Sequence, residues 1–242
     1  MRKTRRMMTL FHRWHIWLGW LVAVPLLFWT ATGLFMVSRP IDEVRGTHLR
    51  VDQPDKPLGE NATYSIALSP EDGDVASISI AMDGDVAITT LTRLDGSITR
   101  YGPDGRQLPT LNEVGARTVV ARQIVGGENV RAARYFDADN VPFDFRRPMP
   151  VWQVALNDGT HVYVGAQTGQ IEAVRTPFWR AFDFAWGLHI MDLSEREDTS
   201  HPLLIIFTAL SLVGVVLGTV LMFRRRRAKP RSRPAPNLVG DG

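Results

Sequence analysis

The chain has 242 residues, 45% of them hydrophobic and 22% charged, and no cysteine. Disulfides, cysteine-ligated zinc and iron–sulfur clusters are therefore excluded. The formal net charge of +3 is unevenly spread: Arg2, Lys3, Arg5, Arg6 and Arg13 open the chain without an acid, Arg224 to Arg227, Lys229, Arg231 and Arg233 crowd its tail, and 39–201 holds 16 basic against 24 acidic residues. Basic clusters confined to the edges of apolar runs follow the positive-inside pattern, which excludes nucleic acid as a partner.

The first element is the uncharged run Ile16–Val37, 22 residues long. As a helix it covers about 33 Å, against a hydrocarbon core of about 30 Å. It is longer than the apolar core of a cleaved signal peptide, and the SRPIDE after it offers no small-residue cleavage site. An uncleaved signal anchor is expected, with residues 1–15 on the cytoplasmic side and a kink at Pro25.

Residues 39–62, rich in Pro, Asp, Gly and Asn, predict an irregular lead-in. Short alternating runs broken by Asp-Gly turns then predict strands at Ser77–Met82, Val86–Leu91 and Ser97–Tyr101. The spacing of Leu111, Val114, Thr118 and Val119 predicts a helix over 111–125, stopped by Gly126-Gly127. Strands follow at Val130–Phe136, Val151–Leu156 and His161–Val164, the last two joined by the hairpin turn Asp158-Gly159, with Thr168-Gly169 as a further turn. Period-two alternation puts Trp152, Val154 and Leu156 on one face. The result is an α+β domain with antiparallel sheet over 39–176. Residues 90–108 can be laid over 153–171 as strand, Asp-Gly turn, strand and glycine turn. Either the unit is duplicated or two hairpins share one grammar.

Residues 178–193 form an amphipathic stretch bearing Phe178, Trp179, Phe182, Phe184 and Trp186, expected to lie along the outer interface. Pro202–Phe223 is a second 22-residue apolar run, stopped by Arg224–Arg227. Its Gly214 and Gly218 form a small-xxx-small pair that lets two helices approach closely. By the charge rule both termini, including the tail 224–242, are cytoplasmic and the segment between the spans is outside.

The segment PVWQVALNDGTHVYVGAQTGQIEAV (150–174) resembles the closing hairpin of a PepSY domain. FHRWHIWLGWLVAVPLLFWTATGLFM (11–36) resembles the first helix of PepSY-associated transmembrane proteins. FWRAFDFAWGLHIMDL (178–193) with HPLLIIF (201–207) is similar to that family's approach to its next span. The resemblance implies a multi-pass protein of the bacterial inner membrane, with two transmembrane helices flanking an extracytoplasmic PepSY-like domain. Relatives include haem-containing reductases that release iron from siderophores, iron-regulated membrane proteins, and propeptides that restrain proteases. The reductases have four or more spans and this chain shows two, which puts a self-contained electron path in doubt.

Six histidines are present, and His12, His15, His189 and His201 lie beside the spans. Neutral imidazole is a natural axial ligand for a membrane haem b, which makes these four the candidate cofactor-binding residues. An interfacial belt shared with Trp14, Trp17 and Trp20 is the alternative role for His12 and His15. His189 and His201 could equally serve an interfacial anchor. The two pairs stand on opposite faces of a bilayer about 30 Å thick, so one from each cannot ligate the same iron. A haem would need His12 or His15 from two copies, His189 with His201, or a partner membrane subunit. Ser194, Glu195, Glu197, Asp198 and His201 could hold a cation, but a solvated linker explains them better. There is no P-loop, Rossmann fingerprint or nucleophile elbow, and no catalytic set is assigned.

The leading expectation is an iron-uptake-linked, haem-binding electron-transfer subunit for ferric-siderophore reduction. The alternatives are a non-enzymatic tethered module that binds, senses or regulates a protease, and a structural accessory of a larger membrane complex. Expected partners are the lipid bilayer, a second copy or another membrane subunit, and a periplasmic protein or a siderophore.

Overall fold

The computed structural model describes residues 2–52, 56–59 and 73–226. The tail beyond Arg226, and residues 53–55 and 60–62 of the expected lead-in, lie outside the described residues. The chain divides into two compact units, Met1–Ser38 with Asp183–Gly242, and Arg39–Phe182.

The first unit is built on α1 (Arg2–Met36) and α5 (Pro202–Arg226), which pack against each other, with the end of α4 (Pro177–His189). Helix α1 starts well before Ile16 and runs through Pro25 unbroken. Its apolar stretch is Met7–Met36, because Met7, Met8, Leu10, Phe11 and Trp14 extend the hydrophobic surface past Arg13. The apolar stretch of α5 is Pro202–Phe223. Both are long enough to cross a bilayer, and their large side chains face outward: Trp17 is 72% and Trp20 74% exposed. Gly214 and Gly218 turn toward α1 in the same chain, against Leu18 and His15. The small-residue face is thus taken up within the chain.

The second unit opens where a lead-in without regular structure was expected. A short helix α2 (Ile41–Arg45) and the 3-10 turn Thr47–Leu49 occupy part of it. The signals are legible in hindsight: Pro40 precedes, Asp42 and Glu43 fill the first turn, and Gly46 ends the helix in the left-handed region. Glycine is doubly required there, since a Cβ on Gly46 would meet Val174 Cγ1 at 2.8 Å.

Strands β1 (Val75–Asp83), β2 (Val86–Arg93) and β3 (Ile98–Tyr101) form an antiparallel meander. Helix α3 (Glu113–Gln123) follows, capped by Asn112, whose side chain accepts from Gly115 N at 2.9 Å. Strands β4 (Val130–Phe136), β5 (Val151–Leu156), β6 (His161–Gly165) and β7 (Ile171–Arg175) make a four-stranded antiparallel sheet in sequential order. Strand β7 was not predicted. Ile171, Ala173 and Val174 are all buried, so it carries no clean alternation beyond the Thr168-Gly169 turn.

Both faces of this sheet are covered. Trp152, Val154, Leu156, Val162 and Val164 share one face and pack with Ala116, Val119 and Val120 of α3. Trp152 also donates from Nε1 to Leu111 O at 2.8 Å. On the opposite face Val151, Tyr163 and Ala173 pack with Phe145 from the β4–β5 connection. The internal likeness is confined to the hairpins β2–β3 and β5–β6: Gly96 and Gly159 both turn at positive φ, but among the described residues the first sheet has no counterpart of β7.

Candidate functional site

The four candidate histidines fall into two groups. His12 and His15 sit in α1 inside the apolar stretch rather than ahead of it. His12 is exposed; His15 is half-buried, its ring held against Gly218, where a Cβ would lie 2.9 Å from Cε1. His15 Nδ1 is buried without a partner among the described residues.

His189, the last residue of α4, meets the other end of α1. Its Nδ1 lies 3.1 Å from Thr32 Oγ1, and its ring stacks on Trp29 at 4.8 Å with Trp186 at 6.5 Å. Gly33 makes room, since a Cβ there would stand 3.3 Å from His189 Cε1. The hydrogen bonds around Thr32 bear on the tautomer. A hydroxyl has one hydrogen, and the carbonyls of Phe28 at 2.8 Å and Trp29 at 3.1 Å stand within its reach beside His189 Nδ1. When that hydrogen goes to a helix carbonyl, Thr32 Oγ1 accepts from His189 Nδ1–H, and the neutral ring then presents its lone pair at Nε2. That Nε2 has no hydrogen-bond partner among the described residues.

The packing of α1 and α5 is antiparallel, pairing Gly218 with His15 and Gly214 with Leu18. The start of α5 is thereby carried to the Thr32 end of α1, and with it His201, whose Nδ1 is also buried without a partner. His15 and Thr32, the α1 residue that His189 contacts, stand 17 residues apart, about 26 Å along a helix. The structure thus groups His189 with His201 at one end and His12 with His15 at the other.

The segment between α4 and α5 is more ordered than a solvated linker. Helix α4 stops at His189, short of 193, because Met191 turns left-handed (φ 58°) while Met191 N donates to Leu188 O and Asp192 N to Gly187 O. Asp192, 3% exposed, then accepts from Ser194 N, Ser194 Oγ and Glu195 N on one oxygen and from Glu197 N and Asp198 N on the other. The Ser194 hydroxyl, working against burial and joined by the backbone amides, holds this carboxyl well below the usual carboxylate range. Buried Asp183 pairs with Arg196 at 2.6 Å. Ser194, Glu195, Glu197 and Asp198 point outward around this scaffold, and no group of three metal-ligating side chains occurs among the described residues. The aromatic residues of α4 are partly engaged within the protein. Trp186 donates to Arg196 O, Phe178 lies under Arg39 and Trp179 under Arg175, while Phe184, under Arg196, stays half exposed.

In the second unit His161, not singled out by sequence, joins a polar network on the face of the sheet away from α3. Tyr163, fully buried, donates to Asp144 Oδ1 at 2.5 Å and accepts from Gln153 Nε2 at 2.6 Å. His161 Nδ1 lies 3.3 Å from Gln153 Nε2 and 3.4 Å from Asp144 Oδ2, and its tautomer decides which it bonds. Burial alone would raise the Asp144 carboxyl, but hydrogen bonds from His161 and Tyr163 outweigh it and hold it low. Burial, reinforced by the bond to Asp144, pushes the Tyr163 phenol well up. A phenol kept protonated in a satisfied network is neither base nor nucleophile at neutral pH, and the network serves rigidity.

Two apolar helices flanking an α+β unit with a helix-backed antiparallel sheet define a membrane protein with a folded domain between its spans. Residues 12–238 match the family described as PepSY-associated TM region, and the chain belongs to that family. No curated protein and no solved structure matches the chain.

Proposed function

We propose that this chain is a haem-binding electron-transfer subunit linked to iron uptake, held in a bacterial inner membrane with both termini cytoplasmic. The observation that carries the reading is His189. Its Nδ1 is hydrogen-bonded to Thr32, its ring is stacked on Trp29, and its Nε2 has no hydrogen-bond partner among the described residues. Metal-ligating histidines characteristically donate their other ring nitrogen in this way, and the outer partner is worth about 10- to 100-fold in affinity. His201, at the same end of the helix pair, offers a buried ring nitrogen without a partner among the described residues, the kind of atom that calls for a ligand. These two residues would hold the group, which supplies one-electron transfer. Thr32 would orient the ring with Nε2 turned away from it, and Trp29 with Trp186 would shield the ring from water. His12 and His15 are too far along α1 to share that iron and would need a second copy or partner subunit for a site of their own.

The test is the absorbance of the full chain, expressed with haem supplied and purified in mild detergent. A Soret band lost in His189→Ala, and haem affinity about 10- to 100-fold weaker in Thr32→Val, is expected. A wild-type protein without pigment, or a His189→Ala variant with the full band, overturns the reading. The tethered binding module then becomes the leading account; a polar cavity in the second unit favours that second reading.

A further inference from the structure

The cavity lies within Arg39–Phe182, where the β1–β2–β3 meander, the end of α3 and the β6–β7 turn converge. It has a volume of about 210 Å³, below the roughly 300–1,000 Å³ of sites for drug-sized ligands. Its lining carries Arg50, Arg100, Thr90, Gln123 and Gln170, with Asp83 as the one carboxylate.

The charges around it do not cancel. Asp83 is engaged by Arg122, through a direct ion pair. Arg50 donates to a neutral acceptor, Ile171 O, at 3.1 Å. Arg100, on β3, is half-buried, and its guanidinium has no hydrogen-bond partner among the described residues. It packs against Gly169, a residue at φ +66° whose missing side chain leaves the space the guanidinium fills. Burial lowers the Arg100 group from its ordinary value, with Asp83 opposing, yet a guanidinium stays charged in proteins. A planar donor fork, partly stripped of water and short of acceptors, thus belongs to a residue lining a small cavity. The hydroxyl of Thr90 and the amides of Gln123 and Gln170, also without protein partners among the described residues, supply further donors.

We propose that this cavity is a binding site for a compact multivalent oxyanion, a phosphate or a small polycarboxylate, with Arg100 as the principal contact and Arg50 as the second. Guanidinium forks match both chemistries bidentately. The site is independent of the histidines, so its fate and that of the haem reading are separable.

Titration calorimetry of the full chain in detergent at low salt, with inorganic phosphate and with citrate in separate arms, tests it. Saturable binding of at least one anion is expected, and the tighter arm identifies the chemistry. Arg100→Gln should weaken that binding by about tenfold or more, and Arg100→Lys, which keeps the charge but loses the fork, by less. Arg131→Gln, an exposed arginine on β4 outside the cavity lining, should bind as wild type. Melting curves in the same buffer confirm that each variant is folded. Absence of saturation by either anion up to about 10 mM, or wild-type affinity in both folded Arg100 variants, overturns the proposal.

Discussion

In the four-stranded sheet of 39–182, Val162, Tyr163 and Val164 are fully buried, whereas in α1 Trp17, Trp20 and Leu34 are at least 70% exposed. Each arrangement suits its solvent. A water-facing domain gains by removing apolar area from water, about 25 cal/mol per Å². Lipid is as apolar as leucine, so helices within it associate through close packing instead, here at Gly214, Gly218 and Gly33. Polar groups divide in the same way. Tyr163, Asp144 and Gln153 satisfy one another, while His15 and His201 each keep a buried Nδ1 without a partner among the described residues. Unmet polar atoms in the membrane unit are more informative about function than satisfied ones in the domain, because leaving them unmet is costly.

The most decisive way to break this comparison is topological. Alkaline phosphatase fused after Asp104 should be active and the same reporter fused after Arg233 inactive; the opposite pattern would put the domain on the wrong side. Next in size is a matched pair of truncations. Trp152→Ala removes a core aromatic and its hydrogen bond to Leu111 O, at a cost of about 3 kcal/mol in thermal unfolding of the full chain. Trp20→Ala, 74% exposed, should leave that transition unmoved. Equal effects would mean that outward aromatics of α1 are packed.

A smaller effect is expected from Tyr163→Phe. It strips Asp144 Oδ1 and Gln153 Nε2 of a partner, costing about 1–3 kcal/mol. The same pair sets an acid dependence. Because the folded-state value of Asp144 is lowered, its contribution is present above the unfolded carboxylate value near 3.9 and fades as pH falls through the folded value. Melting curves of wild type and Asp144→Asn should therefore converge at the acid end. Curves that stay parallel down to about pH 2 would assign the stability elsewhere.

The sequence by itself determined the two spans, the antiparallel α+β class and most strand positions. Those features rest on periodicity, turn glycines and long apolar runs, which are local. β5 begins at Val151 and ends at Leu156 as predicted, and its hairpin turns at Asp158-Gly159. Strand β7 and helix α2 escaped because one is buried on most of its length and the other is only five residues long. The sites depended on tertiary contacts. Nothing near position 189 in sequence reveals that Thr32, 157 residues away, hydrogen-bonds His189 Nδ1. Nor does the local sequence of Arg100 show that Gly169 opens the space in which it lies. Asp192 reads as one acid in a polar run, and only the folded loop makes it the acceptor of five hydrogen bonds. Hydrogen-bond partners and cavity walls come from segments distant along the chain, and only the packed structure brings them together.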